Sequence, residues 1–234
     1  METGGQMLEN GGKGGLREMA PIAVLLAVSG AVLAFVQAGE GRAHVFDREL
    51  LLALRTPGDP ADPLGARAFE LAVVDLSALG GFAVLTLLVL LACGYLAVLR
   101  KWGDAALLLA ASIGGTWISE ALKEFFGRPR PDLVAHVVET TSMSFPSGHA
   151  MLSAAIYLTL GALLARAQEA RVRRNYILGA AVLLTLLIGV SRLYLGVHWP
   201  TDVLAGWCLG AAWALICWSV AAWLKRRRAP HSSP

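Results

Sequence analysis

The fold class of this chain is decided by residues 203–224, VLAGWCLGAAWALICWSVAAWL, and by the cations KRRR that follow them at 225–228. The apolar stretch carries no charged side chain, and about 20 residues suffice for a helix to cross about 30 Å of hydrocarbon. Cations directly after such a stretch are typical of the cytoplasmic end of a membrane span. These residues therefore predict a transmembrane helix with a basic cytoplasmic boundary.

Further apolar stretches precede this one along the chain. Together they give six predicted spans, at 21–38, 77–99, 105–125, 150–165, 177–195 and 203–224. The composition agrees, because 56% hydrophobic residues and only 16% charged residues are a poor fit to a water-soluble globule. The expected fold is all-α, a polytopic bundle of six transmembrane helices that forms one domain over residues 19–225.

The segments outside this domain are assigned from their composition. Residues 1–18 are rich in Gly with mixed charge and are expected to be a disordered cytoplasmic lead. Residues 226–234 are expected to be a basic cytoplasmic tail. Between the first two spans, residues 39–76 form a long external segment in which parts are expected to be helices at the membrane surface. The function of this segment is not evident from its sequence.

The distribution of cations predicts the sidedness of the chain. Most of the 20 Lys and Arg residues fall on the side that holds both predicted termini, so both termini are expected in the cytoplasm. The bias toward Ala, Leu and Gly and the compact loops favour a bacterial inner membrane, with the opposite side facing the periplasm. Residues 36–38 form a small-x-small pattern that a signal peptidase could accept, so cleavage after the first span stays open.

The third predicted span carries a polar face. Ser112, Thr116, Ser119 and Glu120 recur at near-helical spacing. Such a face is expected to turn toward protein or a wet cavity rather than toward lipid.

A first polar cluster, KEFFGRPRP at 123–131, lies at the external end of this span. Lys123 and Arg130 are seven residues apart, about two helical turns, and could face one pocket. Pro129 and Pro131 end the helix, and the planar fork of Arg130 suits two oxygens of a phosphate. The alternative is a pair of ordinary cations whose charged groups reach the interface from a helix end.

A second cluster, SFPSGH at 144–149, precedes the fourth span. Ser147 is a natural N-cap, and a helix that begins here directs free backbone N–H groups, including that of Gly148, at an anion. His149 lies in the first turn and can exchange a proton near neutral pH, which suits a general acid. The alternative is simple capping beside an interfacial histidine.

A third cluster, SRLYLGVHWPTD at 191–202, lies between the last two spans. His198 and Asp202 are four residues apart and share one face if both are helical. Pro200 is tolerated only where that helix has just begun, which places His198 at its positive end. A carboxylate on one ring nitrogen leaves the other nitrogen free, as a nucleophilic histidine requires. The alternative is a purely structural hydrogen bond between His198 and Asp202.

In this order the three clusters match the pattern K-x6-RP, PSGH, SR-x5-H-x3-D, and they resemble the signature of the type 2 phosphatidic acid phosphatase superfamily. The resemblance implies that His198 attacks phosphorus and forms a phosphohistidine, with Asp202 orienting it and His149 protonating the leaving oxygen. The remaining matched residues are implied to bind the phosphoryl oxygens; they are Lys123, Arg130, Ser147, Gly148 and Arg192. Arg128 lies outside the matched positions and receives no role.

The resemblance also implies a lipid phosphate substrate and no metal or other cofactor. Undecaprenyl diphosphate, phosphatidylglycerophosphate, phosphatidic acid and a lipid A phosphate all remain open as substrates. A non-catalytic lipid-phosphate binder or transporter is the first alternative, although both histidines are retained. A vanadate-dependent haloperoxidase shares the signature, but six spans argue against it. No nucleic-acid partner is expected, membrane lipids surround the protein, and the oligomeric state is left open.

Overall fold

The computed structural model describes residues 22–32, 34, 42–140 and 142–228. Residues 1–18 of the predicted lead and 229–234 of the predicted tail lie outside these ranges. The regular structure is almost entirely helical, which confirms the all-α prediction, apart from one small antiparallel hairpin. The helices are α1 (Ile22–Val32), α2 (Arg42–Leu52), α3 (Arg67–Ala78), α4 (Phe82–Val98), α5 (Trp102–Phe126), α6 (Gly148–Arg166), α7 (Arg171–Tyr194) and α8 (Pro200–Arg228). The hairpin pairs β1 (Arg55–Thr56) with β2 (Asp59–Pro63).

Four helices, α5 to α8, are long and apolar enough to cross a membrane. Helices α3 and α4 meet this test only as a pair, and they are bent by 47° at the break between them. By length and composition the described residues therefore hold four candidate spans, or five if the bent pair crosses as one. Helix α1 is apolar but short, and part of the first predicted span lies outside the described residues. The count of six spans stays a prediction.

Large apolar side chains cover the outward faces of the bundle. Leu91 on α4 is 65% exposed, and Trp117 on α5 is 75% exposed. Exposed apolar side chains of this kind also occur along α7, among them Val182, Leu183 and Val190. Such continuous apolar surface is unusual for a water-soluble monomer and fits contact with lipid tails.

The second predicted span, 77–99, does not correspond to one continuous helix. Helix α3 ends at Ala78, and α4 begins at Phe82 after a short break that contains Gly80. A Cβ atom at Gly80 would lie 2.4 Å from Cγ2 of Ile188 and 3.4 Å from Cδ2 of His149. The missing side chain thus lets the break lie directly against α6 and α7. Apolarity is continuous across this break, so hydropathy alone does not reveal the change of direction.

Helix α6 lies at the centre of the bundle, where it packs against α4, α5, α7 and α8. Its contact with α8 is close because glycines of α8 face the backbone of α6. A Cβ at Gly206 would lie 2.8 Å from the carbonyl oxygen of Ser147, and one at Gly210 would lie 2.2 Å from that of Met151. Small residues permit such approach between membrane helices, and dispersion contacts then hold the pair together.

The predicted external segment 39–76 is folded against the bundle within its described part, residues 42–76. The buried Arg55 donates a hydrogen bond to the carbonyl oxygen of Tyr194 at 2.9 Å. The Tyr194 hydroxyl donates in turn to the carbonyl oxygen of Leu64 at 3.0 Å, and the Phe69 ring meets the Tyr194 ring edge-on. Helix α3 packs along α7. We give the name external cap to residues 42–78, which comprise α2, the hairpin and α3.

The contact between α6 and α8 predicts that Gly210→Ala is destabilising. The added Cβ meets a backbone oxygen, which can withdraw only if the two helices separate, so overpacking costs about 1–3 kcal/mol. We expect the thermal unfolding midpoint in detergent to fall by about 5 °C. Gly179→Ala in α7 is the matched control, because nothing lies within 4 Å of its Cβ position. An equal loss in both variants would contradict the close contact.

Candidate active site

The three polar clusters meet at one end of the bundle. Neighbouring helices run in opposite directions, so the end of α5, the start of α6, the end of α7 and the start of α8 lie together. A cavity of about 220 Å³ opens there. Six of the eight predicted site residues line it: Lys123, Arg130, Gly148, His149, Arg192 and His198. Asp202 lies directly behind His198, and Ser147 is fully buried beside Gly148.

His198 occupies the turn between α7 and α8, and α8 begins at Pro200 as the sequence predicts. The residue is 2% exposed. Its Nε2 atom lies 3.3 Å from Nη1 of Arg130, and its Nδ1 atom lies 3.7 Å from Oδ2 of Asp202. The second distance is that of an ion pair and is longer than a direct hydrogen bond. One ring nitrogen therefore faces the arginine of the site, and the other faces the carboxylate.

Burial lowers the pKa of His198 to about 4, although Asp202 acts in the opposite direction. Arg130 and Arg192 lower it further, because like charges disfavour the protonated ring. The imidazole is therefore neutral at neutral pH. A neutral ring retains the lone pair that a nucleophilic nitrogen needs.

Arg130 is held by backbone and side-chain acceptors around the cavity. Its Nε donates to the carbonyl oxygen of Ser142 at 2.7 Å, and its Nη1 donates to that of Val197 at 2.7 Å. Burial lowers the pKa of Arg130, and Asp202 opposes this effect. A guanidinium that is fixed and partly desolvated is well suited to grip an anion.

Lys123 and Gly148 are close neighbours in the wall of the cavity. The Lys123 Nζ atom donates to Oε1 of Glu120 at 2.7 Å. A Cβ on Gly148 would lie 3.3 Å from that Nζ atom, so the absence of a side chain lets the cation approach the first turn of α6. The free N–H groups of that turn and the ammonium group can then act on the same anion.

Arg192 projects from α7 and is buried. Its Nη1 atom donates to Oγ of Ser77 at 2.7 Å, and its buried Nε atom has no hydrogen-bond partner within the part of the chain that the structure describes. An unpaired buried donor is costly unless a ligand accepts from it. The position of Arg192 on the cavity wall makes a phosphoryl oxygen a suitable acceptor.

Ser147 is the N-cap residue of α6, as the sequence predicts, but it does not cap the helix through its side chain. Its hydroxyl makes no capping hydrogen bond, and its buried Oγ atom has no partner among the described residues. Its backbone N–H donates instead to the carbonyl oxygen of Asp202 at 3.1 Å. The contact with α8 thus fixes the start of α6, and the phosphate contact of Ser147 stays a prediction.

Sequence reasoning missed residues that surround Asp202. The Ser144 hydroxyl donates to Oδ2 of Asp202 and lies 3.4 Å from Nδ1 of His198. Arg128, which received no role, donates to Oδ1 of Asp202 and to Oδ2 of Asp47. The only sequence signal was the position of Arg128 and Ser144 inside or beside matched blocks; Asp47 carried none.

The arrangement of potential metal ligands bears on whether the site could hold a metal ion. Within residues 22–32, 34, 42–140 and 142–228, no three His, Cys, Asp or Glu side chains form a group that could hold a metal ion. The cavity is lined by cations instead. Cations and helix N–H groups can stabilise a phosphoryl group without a metal. The metal-free scheme stays a prediction.

The chain is similar to known proteins in both sequence and structure. Residues 104–226 match the PAP2 superfamily. The chain is 36% identical over 130 residues to phosphatidylglycerophosphatase B of Bacillus subtilis, covering 54% of this chain and 62% of that protein. It is 33% identical over 144 residues to decaprenylphosphoryl-5-phosphoribose phosphatase of Mycobacterium tuberculosis, covering 60% and 75% of the two chains. The crystal structure of a transmembrane PAP2 type phosphatidylglycerolphosphate phosphatase from Bacillus subtilis superposes with a TM-score of 0.73 at 25% identity, covering 91% of this chain and all of that one.

The lowered pKa of His198 predicts an acid-sensitive stability. Between pH 6.5 and about 4 the unfolded chain binds a proton at this residue that the folded protein does not bind. The stabilising contribution of the neutral ring is therefore complete above pH 6.5 and is lost as the pH falls toward 4. We expect the thermal unfolding midpoint to decrease from pH 7 to pH 5, and to decrease less in His198→Gln. Equal decreases in the two proteins would exclude a neutral buried ring.

Proposed function

The chain belongs to the PAP2 superfamily, and from this membership we propose that it is a membrane-embedded, metal-independent phosphatase of lipid phosphates or diphosphates. The observation that carries the proposal is the arrangement at His198. Its Nε2 atom lies 3.3 Å from Arg130, its Nδ1 atom faces Asp202, and the ring lines a cavity rich in cations. This is the arrangement that phosphoryl transfer to a histidine requires.

In the proposed first step, Nε2 of His198 forms a bond to phosphorus while the bond to the leaving oxygen breaks. His149 donates a proton to that oxygen, so that an alcohol or a lipid monophosphate departs. The ring of His198 becomes positively charged, and Asp202 stabilises that charge. In the second step, water attacks the phosphohistidine, His149 accepts a proton from the water, the P–N bond breaks, and inorganic phosphate leaves.

The charge on the transferred group is balanced by fixed cations and backbone N–H groups. We propose that Lys123, Arg130 and Arg192 contact the equatorial oxygens, together with Gly148 and Ser147 at the start of α6. Little covalent assistance is needed in phosphoryl transfer, so positioning and electrostatic stabilisation account for most of the rate enhancement. Arg130 and Arg192 already donate hydrogen bonds to Val197 and Ser77, which supports this role because these side chains need little reorganisation when the substrate binds.

A lipid substrate is supported by the apolar part of the cavity wall. Phe82 of α4 and Leu152 of α6 line the cavity beside the cations, and Phe82 is 69% exposed at the surface of the bundle. An acyl or prenyl chain could therefore pass between α4 and α6 while its phosphate reaches His198. Undecaprenyl diphosphate, phosphatidylglycerophosphate, phosphatidic acid and a lipid A phosphate are the substrate classes to be compared.

We also propose that the catalytic domain, residues 19–225, lies in a bacterial inner membrane with its site facing the periplasm. A cluster of charged side chains at the end of the bundle opposite His198 supports this orientation. There Asp104 accepts hydrogen bonds from Arg166 at 2.6 Å and from Lys225 at 3.3 Å. Together with the basic residues after α8, this end fits the cytoplasmic surface and cytoplasmic termini.

The proposed nucleophile can be tested by phosphate release from a panel of the four lipid classes in detergent with EDTA present. We expect the wild-type protein to release phosphate from at least one class. His198→Gln should lower kcat by at least about a thousandfold, because the covalent step is lost. His136→Gln is the matched control, since His136 lies exposed in the loop before α6 and is not placed in the site. Chelator-sensitive release would contradict the metal-free scheme, and full activity of His198→Gln would contradict the nucleophile.

Orthovanadate provides an independent test of the cavity. It resembles five-coordinate phosphorus, so we expect it to inhibit competitively and raise the apparent KM for the lipid while kcat stays unchanged. Insensitivity to vanadate would contradict a phosphoryl-binding role for the cavity. A non-catalytic binder would retain the lipid without releasing phosphate, and a haloperoxidase would oxidise bromide when vanadate and peroxide are supplied.

A further inference from the structure

A buried chain of charged side chains runs from the external cap to the proposed nucleophile. It begins at Asp47 on α2, passes through Arg128 in the loop after α5, and reaches Asp202 in the first turn of α8. The carboxyl groups of Asp47 and Asp202 are both fully buried, and the side chain of Arg128 is 10% exposed. Buried charges of this kind persist only where each is closely paired.

Both oxygens of the Asp47 carboxylate accept hydrogen bonds from residues near the active site. Its Oδ2 atom accepts from Nη2 of Arg128 at 2.8 Å and from Oγ1 of Thr201 at 2.8 Å. Its Oδ1 atom accepts from the backbone N–H of Thr201 at 3.0 Å. Asp47 therefore holds both the arginine and the first turn of the helix that carries Asp202.

The guanidinium of Arg128 is held through both of its Nη atoms and through one face. Its two Nη atoms bind different carboxylates, Nη1 also donates to Oγ1 of Thr201 at 2.8 Å, and its Cζ atom lies 5.5 Å from the ring centre of Trp199. A planar fork with several fixed donors holds its acceptors in a defined geometry, which a lysine cannot reproduce. The Oδ1 atom of Asp202 is thus anchored. Its Oδ2 atom accepts from the Ser144 hydroxyl and from the backbone N–H of Trp199, and it lies 3.7 Å from Nδ1 of His198.

The charges of Asp47, Arg128 and Asp202 also suit the reaction. Asp47 and Asp202 contribute one negative charge each and Arg128 one positive charge, so the three together carry a net charge of −1. The ring of His198 gains a positive charge when the P–N bond forms. A fixed negative charge in a buried site stabilises that product and the transition state that leads to it. Without Asp47, the two remaining groups are neutral together.

Resting on the proposed function, we propose that Asp47 and Arg128 are positioning residues for phosphoryl transfer, with Asp47 acting through Arg128 on Asp202 and His198. The external cap then contributes a residue that positions the active site, although the cap precedes residues 104–226, which match the family. The contact of Ser77, also in the cap, with Arg192 is a second link of the same kind. Neither Asp47 nor Arg128 lines the cavity, so their contribution should affect turnover rather than substrate binding.

The test compares Asp47→Asn, Arg128→Met and the double variant in the full chain, with the wild-type enzyme and its best lipid substrate measured first. We expect kcat to fall about tenfold to a hundredfold in each single variant, by analogy with the loss caused by removing the outer partners that orient metal-bound histidines. KM should stay within about twofold, because the cations of the cavity are untouched. The double variant should be no slower than Arg128→Met alone, because the two residues act in series.

Matched controls come from exposed charges of the same cap. Asp62→Asn removes a carboxylate that binds only Thr56 among the contacts seen for it, and Arg67→Met removes a guanidinium that is 72% exposed. Both should retain the wild-type kcat. Size-exclusion chromatography and the thermal unfolding midpoint establish that each variant is folded at the assay temperature. If Asp47→Asn does not fold, Arg128→Lys serves instead, since it keeps the charge but cannot hold two carboxylates and Thr201 together.

The outcomes separate this inference from the proposed function. If the wild-type protein releases no phosphate from any lipid, the proposed function itself fails. If the wild-type protein is active, a folded Asp47→Asn or Arg128→Lys variant with unchanged kcat overturns the inference. Losses in kcat that multiply in the double variant, or a rise in KM without a fall in kcat, also overturn it.

Discussion

Charged side chains that are held away from water at one end of an apolar bundle impose the main constraint on this structure. A buried cation is tolerated only where acceptors surround it, because the lost hydration is not otherwise recovered. Arg130 meets this requirement through carbonyl oxygens, and Arg192 meets it only in part, through Ser77. The Nε atom of Arg192 has no acceptor among the described residues, and in the proposed function the anionic substrate supplies one. The same burial lowers the pKa of His198 and keeps its ring neutral, so one physical cause accounts for both the unpaired cation and the neutral histidine of the proposed site.

The packing of the helices places these charges. Gly206 and Gly210 let α8 approach the backbone of α6, and the N–H of Ser147 then reaches the carbonyl oxygen of Asp202. This contact joins the start of α6 to the start of α8, so His149 and His198 line one cavity. The break at Gly80 brings the end of α3 against His149 from the other side. Close backbone contacts therefore set the geometry of the site before any substrate contributes to it.

The external cap adds a further layer of polar contacts. Arg55, Ser77 and Asp47 each form a hydrogen bond with a residue of the first or third polar cluster, namely Tyr194, Arg192 and Arg128 respectively. The cap thus closes the end of the bundle and pairs charges that would otherwise be unsatisfied. Its contribution is tertiary, since its partners lie far away along the chain.

Features that depend on local chemistry could be predicted from the amino-acid sequence. Apolar stretches of spanning length predicted α5 to α8 to within a few residues, except that α7 begins at Arg171 because its polar first turn extends beyond the apolar run. The constraint that proline places on a helix start located α8 at Pro200, and the spacing of the polar blocks identified the residues that line the cavity. Other features depend on the tertiary structure. They are the bend before α4, the hairpin, the absence of a side-chain capping bond at Ser147, and the pairing of Arg128 with Asp47 and Asp202. Hydropathy and motif spacing report on neighbours along the chain, whereas these features depend on which distant groups must share a buried hydrogen bond or avoid a steric clash.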